Sequence, residues 1–344
     1  MKYKLDFSRV PFKYRDLFEK IRGGHCTLDN FAYVYRGIWT GVLRIFVVDS
    51  EKIEKFNIER EALRPILRGK DIFPFYYRFN DKWVIYTNQP DFENQFPNAI
   101  KYLEQYKTVL ERRGAVWIHG RQWWELEDPL SPEWFELEKL VAPYTSNRNS
   151  FAYEEGKYYV MDSTIIVRFW KNEEERESYL KDFDYLKEEG FSRICDLEEA
   201  RQLIKPTTGN LFYLLGLLNS DLLEFFIKLY APRVSKRQRK PPRGRFFLYI
   251  PPFPNVLPIA VGDKDIRGEI TRLVKETMFL SIKIDELISR DNSGEEGDYN
   301  FEQLESLTEK RDALIGELNE IVFNLYGLKE EEKAIVQSFI LKKR

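Results

Sequence analysis

Apolar positions recur along the chain with two different spacings, and each spacing predicts a different kind of element. Short apolar stretches bounded by charged or turn residues predict strands at Val42–Val48, Lys82–Tyr86 and Phe246–Ile250, and a hairpin from Tyr158–Val160 and Ile165–Phe169. Helical spacing predicts helices that begin at Pro97, at Leu211 and at Leu222. This mixture predicts an α+β fold in which a mixed β-sheet carries inserted helices.

The apolar pattern also suggests where the chain divides. Residues 1–32 form a predicted helical leader, and residues 33–260 form the main domain, which carries a charged helical insertion at about 171–206. In residues 261–344 two long runs of apolar residues at helical spacing flank the Gly-containing stretch 292–297, which predicts an antiparallel helical hairpin that extends as an arm. Asn219 and Ser220 form a good N-cap for the helix that starts near Leu222.

Composition narrows the possible classes of protein. The 344 residues are 43% hydrophobic and 32% charged, with a net charge of −2, which is typical of a packed, folded protein. Two cysteines and two histidines are too few for a disulfide framework or a zinc cluster. The first residues lack the apolar region of a signal peptide, and no apolar run reaches the length of a membrane span, so we expect a cytoplasmic protein.

One segment has an unusual charge. The thirteen residues 233–245 carry seven basic side chains and no acid, and they contain Pro-Pro and Gly between a predicted helix and a predicted strand. An exposed cationic loop of this kind can contact phosphates and release condensed counterions. Charge runs also occur as solvated loops without a ligand, so the pattern alone leaves both interpretations open.

Further basic residues lie near predicted turns, and some are interleaved with tryptophans. Arg68 and Lys70 flank Gly69, and Arg121 and Arg148 follow later in the chain. Aromatic side chains beside arginine can stack on bases, but most tryptophans in such a stretch belong to a core. We therefore expect most members of this group to be buried, namely Trp117, Trp123, Trp124 and Trp134.

Motifs for catalysis are missing from the sequence. There is no Gly-rich phosphate loop of the Gly-x-Gly-x-x-Gly type, and no Asn/Asp/Ser-Pro-Pro-Tyr/Phe tetrapeptide of the kind that holds a flipped adenine. Pro251-Pro252-Phe253 follows Ile250, which offers no acceptor for an amino group. Glu331-Glu332-Lys333 imitates a nuclease motif, but it lies in a charged helical segment without a partner aspartate on a strand.

Several blocks together resemble the C-terminal target-recognition (specificity) domain of the TaqI-like and Eco57I-like type II (type IIG) restriction-modification DNA adenine methyltransferases. The most specific blocks are Arg64-Pro65 through Ile72 and Leu217-Leu218-Asn219-Ser220, in this order and at this interval. The resemblance runs from about Tyr33 to Pro258. The remaining matching blocks are Gly37–Gly41 with Phe46–Asp49, Phe96–Arg113, Trp123–Leu126, Lys139–Val141, Phe151–Tyr153 and Ile250–Pro251.

The resemblance implies sequence-specific binding of double-stranded DNA, beside a separate methyltransferase or restriction subunit or domain that methylates adenine N6. S-adenosylmethionine would belong to that partner, so this chain alone is expected to have no cofactor, no metal and no catalytic residues. The resemblance favours a DNA-facing role for the basic run. The candidate DNA-binding residues are Arg233, Lys236, Arg237, Arg239, Lys240, Arg243, Arg245, Arg68, Lys70, Thr40, Arg44, Arg121 and Arg148.

Two other functions stay open at this stage. Scattered carboxylates could form the site of a metal-dependent DNA nuclease, which metal-dependent cutting by the purified chain would reveal. Alternatively, the acidic hairpin could make the chain a protein-interaction scaffold, in which case DNA binding would be absent or insensitive to salt.

Overall fold

The computed structural model describes residues 5–182, 184–193, 195, 205, 207–234, 246–249, 251–293 and 301–343. Short helices dominate the first half of the chain and long helices the last third. The α-helices in this part are Arg15–Arg22, Leu43–Phe46, Ser50–Phe56, Phe92–Gln95, Pro97–Glu104, Lys107–Leu110, Gly114–Trp117, Glu173–Asp182, Asp184–Glu188, Thr208–Asn219, Asp221–Tyr230, Lys264–Ser293, Phe301–Leu325 and Glu330–Lys343. Short 3₁₀ turns are Phe7–Arg9, Phe12–Tyr14, Leu28–Asn30, Arg60–Ala62, Gly69–Asp71, Pro132–Trp134 and Pro254–Val256.

The strands form small sheets with mixed connections, so the expected α+β class is confirmed. A central antiparallel sheet has the order Ala152–Glu154, Lys139–Pro143, Thr164–Phe169, Ala32–Arg36. A second sheet has the order Tyr159–Val160, Leu63–Leu67, Trp83–Ile85, Val47–Val48, and its first pair is parallel. The remaining strands are Arg233–Val234, Phe246–Leu248 and Thr145–Ser146 in a third sheet, and the pairs Cys26–Thr27 with Pro258–Ile259 and Ile72–Phe73 with Tyr76–Tyr77.

The central sheet is shared by two hydrophobic cores. Along Lys139–Pro143, Leu140 and Ala142 belong to one core and Val141 to the other, and Ile165 and Ile166 divide in the same way. Successive side chains of a strand point to opposite faces, so both faces of this sheet are buried. The apolar strand sequences follow from this double burial.

One core is built mainly by helices. The helices Thr208–Asn219 and Asp221–Tyr230 are almost completely buried, and the long helix Lys264–Ser293 packs against the first of them. A side chain at Gly216 would meet Ile270 at 2.7 Å, so the glycine allows this close packing. The leader helix Arg15–Arg22 buries Leu17 and Phe18 in the same core.

Some sequence predictions are confirmed. Lys82–Tyr86 contains the strand Trp83–Ile85, and Phe246–Leu248 is a strand within Phe246–Ile250. Both apolar runs after Leu211 are helices, and Ser220 caps the second of them by accepting a hydrogen bond from the Leu223 amide at 3.3 Å.

Other predictions are wrong. The predicted strand Val42–Val48 begins as the helix Leu43–Phe46. The predicted helix does begin at Pro97, but it is divided between Pro97–Glu104 and Lys107–Leu110. The predicted hairpin does not form, because Tyr159–Val160 pairs with Ile66 and Leu67 in the second sheet. Thr164–Phe169 lies instead in the central sheet.

The C-terminal helices Lys264–Ser293 and Phe301–Leu325 pack against each other, as the hairpin prediction requires. A third helix, Glu330–Lys343, follows and packs on Asp221–Tyr230, which the prediction of a hairpin arm did not include. Asp285 binds Arg78 and accepts a hydrogen bond from the Tyr76 hydroxyl at 3.1 Å, so the arm contacts the strand pair and the turn that hold these two residues.

Two further features concern the cysteines and the apolar helices. Cys26 and Cys195 are paired, with 5.8 Å between their Cα atoms, although the sequence offered no reason to pair them. Within the ranges given above, no single helix is both long and apolar enough to cross a membrane. The helices Thr208–Asn219 and Asp221–Tyr230 pass that test together, but they meet at 60°.

Candidate nucleic-acid interface

Two glycine-containing blocks of the sequence meet at one turn, residues 161–163, which we call the junction turn. A Cβ at Gly37 would lie 2.4 Å from the Met161 carbonyl oxygen, and a Cβ at Gly69 would lie 2.4 Å from the Ser163 carbonyl oxygen. Only glycine tolerates such close contact with backbone. The Gly69 amide donates to Ser163 Oγ at 3.0 Å, which fixes the second block to the turn.

Arg36 and two aromatic rings border the junction turn. The Arg36 guanidinium lies 5.1 Å from the Tyr144 ring centre and 5.9 Å from that of Trp39, and it donates to Asp162 Oδ2 at 3.1 Å. Arg36 and Trp39 are exposed. The sequence pattern did not single out Arg36 as a candidate, although its position directly before Gly37 is a signal that could have identified it.

The third sheet connects the basic run to the junction turn. The Tyr144 amide donates to the Ser163 carbonyl at 2.7 Å, and the next strand, Thr145–Ser146, pairs with Phe247 and Leu248. Arg233 is exposed, and its guanidinium lies 5.4 Å from the Phe247 ring centre. The other candidates of the basic run lie outside the described residues, namely Lys236, Arg237, Arg239, Lys240, Arg243 and Arg245.

The Leu-Leu-Asn-Ser block holds the loop that presents Arg148. Asn219 makes two hydrogen bonds of 2.9 Å to the backbone of Phe151, one as donor and one as acceptor. The Asn149 side chain donates to the Leu218 carbonyl at 2.5 Å, and the Asn149 amide donates to Glu224 at 3.0 Å. Arg148 itself is exposed. The Leu-Leu-Asn-Ser block therefore fixes the backbone of the loop that carries Arg148.

Arg68 and Lys70 differ although they flank the same glycine. Arg68 Nε donates to Asp71 Oδ2 at 2.9 Å, and that buried carboxylate also accepts from the Arg68 amide at 2.9 Å and from Asn80 at 2.7 Å. Arg68 thus closes the turn in an ion pair with Asp71. Lys70 is exposed on the same turn.

Thr40, Arg44 and Arg121 occupy three different environments. Thr40 is buried, and its carbonyl oxygen accepts a hydrogen bond of 3.0 Å from Arg113. Arg44 is exposed on the helix Leu43–Phe46, and Arg121 is half-buried. Arg36 and Lys70 are therefore exposed on segments that contact the junction turn, whereas Arg148 and Arg233 are exposed on the loop after Thr145–Ser146 and on the outer strand of the third sheet. Thr40 lies in the interior.

The neighbouring arginines 112 and 113 also have different environments. Arg113 is buried, and its guanidinium donates to four carbonyl oxygens at 2.7–3.1 Å, those of Leu110, Thr40, Trp123 and Glu125. Burial lowers the pKa of Arg113. Arg112 is exposed. Of the tryptophans expected in the core, Trp124 is buried, Trp123 and Trp134 are half-buried, and Trp117 is exposed.

The described residues do not support a metal site. Within them, no group of three or more His, Cys, Asp or Glu side chains is arranged to hold a metal ion. These residues therefore offer no candidate metal site for the nuclease alternative.

The fold is similar to part of one enzyme whose structure has been solved. The structure superposes on part of the type IIL restriction-modification enzyme MmeI, solved in complex with DNA, with a TM-score of 0.53 and 14% sequence identity. The match covers 92% of this chain and 36% of MmeI.

In sequence, the chain is similar to the type II methyltransferase M.BanIII of Aneurinibacillus aneurinilyticus. The two are 24% identical over 142 residues, which is 38% of this chain and 24% of that protein. The chain thus corresponds to about a quarter of the length of M.BanIII and about a third of MmeI. No protein-family model matches the sequence.

Proposed function

We propose that this chain is the DNA-recognition part of a restriction-modification methyltransferase system and binds double-stranded DNA on the surface around the junction turn. The observation that carries the proposal is the convergence of three sequence blocks on that surface. Gly37 and Gly69 pack directly on the turn, and Asn219 holds the backbone of Phe151 at the end of the loop that carries Arg148. That loop follows the strand Thr145–Ser146, which begins directly after the turn-bonded residue Tyr144.

The chemistry of this surface suits a duplex. Arg36, Lys70, Arg148 and Arg233 supply positive charge on elements joined to the junction turn, and the basic run continues from Arg233. Such side chains position a duplex through its phosphates, while one or two arginines can pair with a guanine edge. The strand pair Arg233–Val234 and Phe246–Leu248 gives the basic run a fixed base beside this surface.

The finer features of the proposal rest on the resemblance and on the relatives. We propose that the recognition is sequence-specific, that the domain is of the TaqI-like type, and that a separate catalytic subunit or domain methylates adenine N6 with S-adenosylmethionine. Because the matched regions cover 24% of M.BanIII and 36% of MmeI, much of the length of such proteins lies outside the match and is available for catalysis. The helical arm is proposed to dock that catalytic partner.

Fluorescence anisotropy with random-sequence duplexes across a salt series tests the proposal. We expect the logarithm of the binding constant to fall linearly with the logarithm of salt concentration, because phosphate contacts release counterions. Replacing Arg237, Arg239 and Arg243 with Ala should lower the affinity and reduce that slope by roughly one for each phosphate that the variant no longer neutralises.

A matched control replaces three lysines on other elements, Lys55, Lys101 and Lys310, all of them exposed, and should leave the slope unchanged. An equal slope in the wild type and the arginine variant would remove the basic run from the interface. No binding at low salt would refute DNA recognition by the isolated chain and favour the scaffold alternative. Cutting of the DNA after addition of Mg²⁺ would favour the nuclease alternative.

A further inference from the structure

A groove of about 1040 Å³ is lined by parts of the chain that lie far apart in sequence. Lys13 comes from the turn Phe12–Tyr14, Arg233 from the strand Arg233–Val234, and Lys342 from the last helix, Glu330–Lys343. All three side chains are exposed, and we call them the rim cations. Among the described residues that line the groove there is no aspartate or glutamate.

The floor of the groove is apolar. Tyr230, Ala231 and Phe339 line it and are buried in the helical core. Side chains of like charge repel one another, and a wall of low polarity strengthens and focuses their field. A cleft that carries one sign of charge above such a floor attracts ions of the opposite sign, so this groove suits an anion.

Two further cations line the groove, but each has its own carboxylate. Arg9 pairs with Asp6 at 3.1 Å, and the buried Lys228 pairs with Glu224 at 2.5 Å. The rim cations, in contrast, form no ion pair with any carboxylate in the described part of the chain. Their charge is therefore available to a ligand.

Acids close to the groove in sequence have other places in the fold. Asp16 lies in the first turn of the helix Arg15–Arg22, where a carboxylate suits the helix dipole, and it forms no ion pair with Lys13. Three glutamates occupy the first turn of the last helix, and one of them, Glu332, pairs with Lys20. A helix rises about 1.5 Å per residue, so this turn lies about 16 Å from Lys342.

Arg233 joins the groove to the surface around the junction turn. In the third sheet Arg233 lies opposite Phe247, and Phe247 lies opposite Ser146. Neighbouring strands are about 4.8 Å apart, so about 10 Å separates Arg233 from Ser146, which is the length of about three phosphates along one DNA strand. The Ser146 hydroxyl accepts a hydrogen bond from the Arg148 amide at 3.3 Å. A polyanion bound at the loop of Arg148 can therefore continue past Arg233 into the groove.

We propose that the groove holds the phosphate backbone of the bound duplex beyond the recognition surface, with Lys13, Arg233 and Lys342 on its phosphates. This inference rests on the proposed DNA-recognition function. An extended polyanion fits better than a single small anion, because the rim cations come from separate elements and the sequence continues from Arg233 into the basic run. Such contacts add affinity and position the duplex but carry no sequence information.

Fluorescence anisotropy of the full chain with duplex DNA across a salt series tests the groove. The variant with Lys13→Ala and Lys342→Ala leaves the residues of the proposed recognition surface intact. Its log–log salt slope should fall by roughly two, since each phosphate that is no longer neutralised contributes about 0.9. The affinity for a duplex selected from a random pool, relative to a random-sequence duplex, should stay the same, because the lost contacts are to phosphates.

Two control variants separate charge in the groove from other effects. Lys55→Ala with Lys101→Ala removes the same charge from exposed lysines on other helices and should leave the slope unchanged. Lys13→Arg with Lys342→Arg keeps the charge in the groove and should keep the wild-type slope. The midpoint of thermal unfolding should hardly change in any of these variants, because the replaced side chains are exposed.

A photocrosslink locates the DNA directly. Ser338 is exposed and lines the groove, whereas the next residue, Gln337, is exposed outside it. The photoreactive residue p-benzoylphenylalanine in place of Ser338 should crosslink to the duplex, and in place of Gln337 it should crosslink much less. Binding of poly-glutamate to the wild type and to the double Ala variant measures whether the groove takes an acidic protein segment instead.

The possible results are distinct. A wild-type salt slope in the double Ala variant would overturn the groove as a DNA site and leave DNA recognition intact. If that variant lost only the binding of poly-glutamate, the groove would belong to an acidic protein partner. An equal fall of the slope in the Arg variant would also overturn the proposal, because charge would not be the cause. No DNA binding by the wild type at low salt would refute the proposed function and the groove with it.

Discussion

Charged side chains play opposite roles in the interior and at the junction-turn surface. Inside, Lys139 pairs with Glu154 across the central sheet, and Arg113 binds four carbonyl oxygens. At the surface, Lys70 and Arg233 are exposed to solvent. Interior charges are weakly screened, so they should control folding and its pH dependence, whereas surface charges should control the salt dependence of binding. The difference shows that charge alone does not identify a ligand-binding residue.

The largest expected effect comes from breaking the buried pair. Glu154 also accepts hydrogen bonds from the Gly156, Lys157 and Tyr158 amides, and burial lowers the pKa of Lys139. Glu154→Ala leaves an ammonium group in the core, so the free energy of unfolding should fall by about 3–5 kcal/mol in urea denaturation. Replacing both residues with Met should restore most of it. If the free energy of unfolding of Glu154→Ala fell by less than about 1 kcal/mol, this pair would contribute no more to stability than an exposed ion pair does.

The neighbouring arginines provide the next test. Arg113→Ala removes four hydrogen bonds and leaves buried carbonyls unpaired, so stability should fall by about 3 kcal/mol. Arg112→Ala, one residue away, should change stability by less than about 0.5 kcal/mol, because Arg112 is exposed. If the two variants had similar free energies of unfolding, the buried Arg113 would contribute no more to stability than the exposed Arg112.

Asp29, in the interior, should make the stability of the folded chain depend on pH. Burial raises the pKa of this carboxyl from 3.8 to about 6, although the Thr27 and Ser192 hydroxyls donate to it. The folded chain therefore holds a proton that the unfolded chain has lost, so this contribution to stability declines as pH rises from about 4 to 6. Asp29→Asn should remove the decline, as measured by unfolding at a series of pH values.

Asp49 is the matched control with the opposite sign. Its hydrogen bond with Lys82 lowers the pKa of the Asp49 carboxyl, so its contribution to stability is present above its ordinary pKa and is lost in acid. Asp49→Asn should therefore flatten a rise of stability with pH. If Asp29→Asn also flattened a rise of stability with pH, the pKa of the Asp29 carboxyl would be lowered in the fold. That result would contradict the argument that burial raises this pKa.

The smallest expected effects belong to single surface cations. Arg36→Ala and Lys70→Ala should each reduce the log–log salt slope of DNA binding by about one if each side chain contacts a phosphate. The midpoint of thermal unfolding should hardly change, because both side chains are exposed. Arg36→Lys should recover most of the slope. An unchanged slope in both Ala variants would remove the junction turn from the interface.

Local sequence signals predicted elements well where neighbouring residues decide the structure. Ser220 caps its helix as expected, because a cap depends on amides three residues away. The strand predicted at Val42–Val48 failed because Ile45 and Phe46 are buried by a short helical turn, with the Tyr102 hydroxyl bound to the Ile45 carbonyl at 3.0 Å. That partner is 57 positions distant along the chain.

The candidate site was predictable only in part. The sequence identified the basic run and the glycine blocks, and the fold places Gly37 and Gly69 on one turn. It did not identify Arg36 or the exposure of Trp117, and it gave no reason to treat Arg68 and Lys70 differently. The environment of Arg36 depends on Asp162, which lies 126 positions away, whereas the partner that fixes Arg68, Asp71, lies only three positions away.

The amino-acid sequence alone determined the local elements with strong caps and spacing, the absence of the sought catalytic motifs, and the charge of the basic run. The tertiary structure decided which cations are buried with partners in the fold and which are exposed to solvent. The physical reason is that the environment of a guanidinium depends on acceptors from distant parts of the chain. Arg113 is enclosed by carbonyls of residues 40, 110, 123 and 125, whereas its neighbour Arg112 meets solvent.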